Sequence, residues 1–313
     1  MPMTFFLLGL LAHVVADFVL QADSVVESKC KRMIGGYLRH GAIVFASSAV
    51  AFHLYGLGVA AVLALIVSAT HVAIDWLKNL AERGAAGVNA SAGASASARA
   101  RARAGASASA SARVGASASA SAGAGVSVSS RSSRSSPRRS LLVFLVDQCA
   151  HAAVLVAVWE LADTHVRRLS DKVLWIYQSV LLQKTVPTLL PACAELGISL
   201  NRVLVLTLAY VVVIFAGAVL VRLMLDAFSI GVEPRLATNA GRYIGMVERA
   251  LMLTLVLVDA LPSIAFVLTA KSLARFQELN DMRFAEYYLV GTLTSACIAL
   301  CVGIVAGAVL PAL

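Results

Sequence analysis

Three His/Asp pairs, each spaced four residues apart, carry the chemistry of this sequence. They are His13/Asp17, His71/Asp75 and, in reverse order, Asp147/His151. Gln21 follows Asp17 by four residues, Lys78 follows Asp75 by three, and Gln148 lies inside the third pair. Four residues of helix turn about 400°, so each set drifts by only ~40° per step and lines one face. Carboxylate and imidazole on one face suit a divalent metal such as zinc, manganese or iron. The same two groups also suit proton transfer.

Each pair lies in an apolar run that must position it. Hydrophobic residues make up 59% of the chain and charged residues 14%. Several runs reach ~20 residues, enough to cross a bilayer as a helix. The expected fold class is therefore all-α, a polytopic transmembrane bundle. Seven spans are expected, at about 4–22, 36–54, 57–78, 141–162, 203–225, 246–270 and 285–310. The first lacks a basic leader and a small-residue cleavage site, so it reads as a retained span. The five cysteines form no CxxC pair, which argues against a disulfide framework.

Residues 83–139 hold nine arginines and no acid, whereas the remainder balances 17 basic against 17 acidic residues. The net charge of +9 thus belongs to one segment, and no nucleic-acid-binding fold is indicated. Residues 84–140 are Ala/Ser/Arg-rich, with almost no large aliphatic side chain. They read as a disordered linker that buries too little surface to offset chain entropy. The organisation expected is helices 1–3 over 1–83, the linker over 84–140, a fourth helix over 141–163, an interfacial segment over 164–202 and helices 5–7 over 203–313. In the interfacial segment, Gln178, Gln183, Lys184 and Pro187 interrupt the apolar run.

Charge sets the orientation. The loop at 23–39 carries Lys29, Lys31, Arg32 and Arg39 against Asp23 and Glu27, and Arg138 and Arg139 adjoin the fourth span. By the positive-inside rule these loops are cytoplasmic and the N-terminus is outside. Spans one and three then run inward and read His-x-x-x-Asp, while span four runs outward and reads Asp-x-x-x-His. The two reversals cancel. Asp17, Asp75 and Asp147 fall at one depth near the cytoplasmic end, His13, His71 and His151 one turn deeper, and His40 near the Asp layer.

Three carboxylates in apolar helices need compensation, and neutral imidazoles do not supply it. One or two divalent ions, zinc or similar, would. The candidate ligands are His13, Asp17, His40, His71, Asp75, Asp147 and His151. Asp17, Asp75 and Asp147 are the candidate catalytic carboxylates, and Gln21, Lys78 and Gln148 the supporting or substrate-contacting groups. The bland alternative is a polar network that only fixes packing. His53 and His165, at span ends, read as interfacial, and Cys297, Cys301 and the Gly303/Gly307 pair as helix-packing residues. Asp259 stands mid-span, three residues before Pro262.

These residues resemble a bacterial family, the domain of unknown function 3307. The matching stretches are His13-Val-Val-Ala-Asp17 to Gln21, His71-Val-Ala-Ile-Asp75 to Lys78 and Asp147-Gln148-Cys-Ala-His151. In the second half, Gly241-Arg-Tyr-Ile-Gly245, Glu248-Arg249, Lys271-Ser272, Arg275-Phe276 and Glu286-Tyr287 carry the likeness. It covers the chain outside 84–140 and 164–200. The resemblance implies a multi-pass protein of the bacterial inner membrane and supplies no activity.

Three functions compete. One is a metal-dependent membrane hydrolase acting on a lipid-linked or membrane-embedded substrate, with an Asp as general base and membrane lipids as its surroundings. Another is a metal-ion or proton-coupled transporter, favoured by the repeated HxxxD of the odd spans. A non-catalytic membrane scaffold is the third. No HExxH or comparable catalytic signature is present.

Overall fold

The computed structural model describes residues 2–31, 33–82, 137–165, 170–176, 199–228 and 239–312, and among these all regular structure is helical. α1 spans Pro2–Val14 and continues as a π-turn over Val15–Val19. α2 is Asp23–Cys30, α3 Ile34–Phe52 and α4 Leu57–Glu82. α5 is Pro137–His165 and α6 Asp171–Ile176. α7 runs over Leu200–Ala227 with a π-turn at Val212–Ala216. α8 is Asn239–Leu257, α9 Leu261–Ala274 and α10 Met282–Val309. Met1–Trp76 and Pro137–Leu313 form one compact unit. Leu77–Ser136 form another, whose described part is the end of α4. The linker expected at 84–140 and most of the interfacial segment expected at 164–202 lie outside the described residues.

Among the described residues, α4, α7, α10 and residues Arg139–Ala162 of α5 are long and apolar enough to cross a membrane. A fifth crossing is α1 with α2, if that pair, bent by 89°, forms one span. α3 has 19 residues, but Arg39 and His40 dilute its apolar character. The single helix expected over 246–270 is divided. α8 ends at Leu257, Asp259 adopts a left-handed φ of 56°, and Pro262 opens α9 in the first turn, where its missing N–H costs nothing. Asp259 is thus an exposed turn residue rather than a mid-span acid. Two other helix starts are set by side chains. Ser199 Oγ accepts from Arg202 N, and Asp281 Oδ1 from Arg283 N and Phe284 N.

α1 belongs to both apolar cores. Phe5 and Ala16 pack with Val44 and Phe52 of α3, Leu63 and Val67 of α4, and Leu155 and Val158 of α5. Leu7 packs with Leu204 and Val213 of α7, Leu253 of α8 and Ala299 of α10. On the outside of the bundle Leu38, Val50, Leu65 and Ile304 remain exposed, as expected for helices facing lipid.

α3 and α4 approach closely at Gly41. A Cβ there would lie 3.0 Å from Val72 Cγ2, and Ser68 Oγ donates to the Gly41 carbonyl at 2.7 Å. This contact adjoins His40 and lies one turn from His71, so it brings those two imidazoles together.

Candidate metal centre

His13, Asp17, His40, His71, Asp75, Asp147 and His151 converge from α1, α3, α4 and α5, and all but Asp17 are fully buried. The rings of His13, His71 and His151 touch one another, with centroids 3.9 to 5.3 Å apart. His40 adjoins His71 at 4.9 Å between centroids. Asp17 lies in the π-turn of α1, where Leu20 N donates to the Val15 carbonyl. That one-residue insertion widens the last turn before the chain bends into α2.

The tightest part of the cluster has four members. Asp17 Oδ1 lies 3.2 Å from His40 Nε2 and 3.1 Å from His71 Nε2. The two Nε2 atoms are 2.9 Å apart. Asp75 Oδ2 lies 3.6 Å from His40 Nε2 and 4.0 Å from His71 Nε2. Donors about 2.05 Å from a tetrahedral zinc are separated by about 3.3 Å. The five distances bracket that edge. Asp17 Oδ1 is buried and makes no aligned hydrogen bond, although two imidazole nitrogens stand within 3.2 Å of it. The 2.9 Å contact between the two Nε2 atoms also fits an imidazole-to-imidazole hydrogen bond, in which one nitrogen donates and the other accepts. One feature fits less well: His40 Nδ1, which a metal-bound imidazole usually engages with an acceptor, is buried without a partner.

A second group of donors adjoins it. Asp75, Asp147 and His151 each offer a ligand atom within 4.8 Å of the others, as do His13, Asp17 and His71. His151 Nδ1 is 2.8 Å from the Asp147 carbonyl, an acceptor, so Nδ1 carries the proton and the buried Nε2 keeps its lone pair. Gln148 Oε1 lies 3.4 Å from His13 Nε2, and Gln148 Nε2 donates to Asp147 Oδ2 at 3.5 Å.

Lys29 is the residue that sequence reasoning left among the topology-setting charges. α2 folds back so that Lys29 Nζ meets Asp75 Oδ2 at 2.6 Å, with both side chains about nine-tenths buried. With its amide oriented to satisfy both neighbours, Gln21 accepts from Lys29 Nζ at 2.6 Å and donates to the Asp17 carbonyl at 3.1 Å. The fold makes room for this. A Cβ on Gly36 of α3 would lie 2.9 Å from Lys29 N and 2.7 Å from Ser28 Cβ. The signal available in the sequence was a lysine eight residues after Gln21.

The remaining candidates stand elsewhere. Lys78 is half-buried one turn beyond Asp75 on α4. His53 lies in the turn after α3, and His165 ends α5. Cys149, Cys297 and Cys301 are free thiols on the exposed surface of the bundle. Gly303 is a packing residue, since a Cβ there would meet Val256 Cγ1 at 2.6 Å, whereas a Cβ on Gly307 would meet nothing within 4 Å among the described residues.

No curated protein and no solved structure matches the chain. Residues 5–110, which include His13, Asp17, His40, His71 and Asp75 but not Asp147 or His151, match the family described as a protein of unknown function, DUF3307.

Proposed function

We propose that this membrane-helix protein holds a divalent metal ion between Asp17, His40, His71 and Asp75 and hydrolyses a lipid-linked or membrane-embedded substrate there. The carrying observation is the set of five donor separations, 2.9 to 4.0 Å, around the tetrahedral edge. A metal so placed would activate water and polarise the scissile group. Asp147 is the candidate base beside it, steadied by Gln148. The location suits a substrate whose reacting part lies near a headgroup. Asp17 is two residues from the end of the first helix at Val19, and α2, carrying Lys29, turns back across that end.

The test is metal analysis of protein purified in detergent. Stoichiometric zinc, manganese or iron is expected, with a melting temperature that falls on chelation. His71→Ala and Asp75→Ala should lose metal, and His53→Ala should keep it. Wild-type protein without stoichiometric metal, and unstabilised by adding it, would sink the metal reading.

One observation favours a second reading, proton-coupled transport. Lys29 already compensates Asp75, and the touching imidazoles of His151, His71 and His40 form a continuous row of proton carriers. Protein in vesicles that moves protons while binding no metal would select it.

A further inference from the structure

Arg249 of α8 is 3% exposed inside an apolar bundle. A cation held there marks a role beyond packing. Its Nε donates to the Val213 carbonyl at 2.8 Å and its Nη2 to the Ile214 carbonyl at 2.9 Å. Both carbonyls belong to the π-turn of α7, where the widened register frees backbone acceptors from their ordinary helical partners. Two glycines admit the guanidinium. A Cβ on Gly217 would lie 3.2 Å from Arg249 Nε, and one on Gly245 3.3 Å from Arg249 Nη1. The neighbouring acid, Glu248, is engaged by Lys271. The fork of Arg249 is therefore directed to the π-turn and not to a carboxylate.

That π-turn packs against the other one, Val15–Val19 of α1, which carries Asp17. The two interruptions of helical register in the described bundle thus support each other, one holding the site carboxylate and the other held by Arg249. We infer that Arg249 is a positioning residue for the His/Asp centre. It fixes the π-turn of α7, which fixes the π-turn of α1, which sets Asp17 Oδ1 against His40 Nε2 and His71 Nε2. The inference rests on the metal reading for what the centre does, but not for the geometry it asserts.

Arg249→Lys keeps the charge but loses the planar two-pronged donor. Gly217→Ala keeps Arg249 and crowds its Nε. Lys271→Gln breaks the adjacent ion pair without touching either π-turn and serves as the control. The first readout needs no metal: histidine-selective 15N spectra of the chelator-treated full-length protein in detergent. In Arg249→Lys and Gly217→Ala, resonances of His13, His40, His71 and His151 should shift, while those of His53 and His165 stay in place. The second readout is Zn2+ affinity by chelator competition, expected to fall roughly 10- to 100-fold at unchanged stoichiometry. Lys271→Gln should alter neither. Variants that melt earlier yet keep the wild-type histidine spectrum would reduce Arg249 to a packing residue and overturn the inference. If the wild type binds no zinc, the metal reading falls and the histidine spectra alone decide this one.

Discussion

At the scale of single residues, the three His/Asp pairs were legible because spacing alone fixes a helical face. Lys29 was not, because its role depends on the direction in which α2 folds, which no periodicity records. Its pairing with Asp75 makes a sharp prediction. Removing one member of a buried ion pair strands the other, at a cost of about 3–5 kcal/mol. Lys29→Met should therefore destabilise the protein by roughly 3 kcal/mol. Asp75→Asn alone should also cost stability, by leaving the buried Lys29 ammonium facing a neutral amide. In the double variant neither charge is stranded, so the two losses should add to less than their sum, with a coupling of about 0.5–3 kcal/mol. Denaturant titration in detergent measures all four corners. Strict additivity would mean that Lys29 and Asp75 do not act as a pair. The carboxylates permit a second residue-scale test. Asp17→Asn, Asp75→Asn and Asp147→Asn, made together with Lys29→Met so that no buried ammonium is stranded, keep shape while removing charge, and should abolish metal binding in a protein that still folds, as read by metal content and circular dichroism.

At the scale of elements, hydropathy located the helices well and their irregularities poorly. An apolar run reads the same whether it closes its hydrogen bonds at i−4 or i−5, so neither π-turn showed in the sequence, although each holds a fully buried residue, Ala16 and Val213. The break between α8 and α9 carried a visible signal in Pro262, but the left-handed residue is Asp259, and the resulting turn divides what hydropathy joins. The Gly303/Gly307 pair shows the same limit. The spacing treats the two glycines alike, whereas among the described residues only Gly303 meets another helix. Gly303→Ala should overpack the α8–α10 contact, where a Cβ would sit 2.6 Å from Val256 Cγ1, and cost about 1–3 kcal/mol. Gly307→Ala, with nothing within 4 Å, should leave the melting temperature unchanged. Equal effects of the two would show that the α8–α10 contact is not the one described.

At the scale of the whole molecule, α1 contributes to both apolar cores and to the site, so the two halves of the bundle meet on the helix that carries Asp17. The Ala/Ser/Arg segment between α4 and α5 holds four valines and no leucine, isoleucine, methionine or aromatic residue. Deleting residues 88–135 should leave insertion and detergent melting nearly unchanged, because so little apolar surface is removed. A large loss of folded protein would show that the segment supports the helices.

Orientation in the membrane is the last whole-molecule expectation, and the fold alters its basis. Lys29 adds to the positive charge of residues 23–39 in the sequence, yet it is buried against Asp75 and its charge is neutralised there. Lys31, Arg32 and Arg39 remain against Asp23 and Glu27, and Lys31 is itself paired with Glu27 on the surface of α2. The local excess is therefore small, and Arg138 and Arg139 at the start of α5 carry more of the argument. By the positive-inside rule both stretches still favour the expected orientation, with α2 and the α5 start inside and the turn before α4 outside. In a background stripped of native cysteines, Lys31→Cys should react with an impermeant maleimide only after the membrane is opened. The side chain it replaces is 64% exposed, so access is limited by the bilayer and not by the fold. Leu57→Cys, at the first residue of α4 and 70% exposed, should react in intact cells. The reverse pattern would invert the bundle. It would move the His/Asp centre to the outer leaflet, and a substrate presented from the cytoplasmic side would no longer reach it.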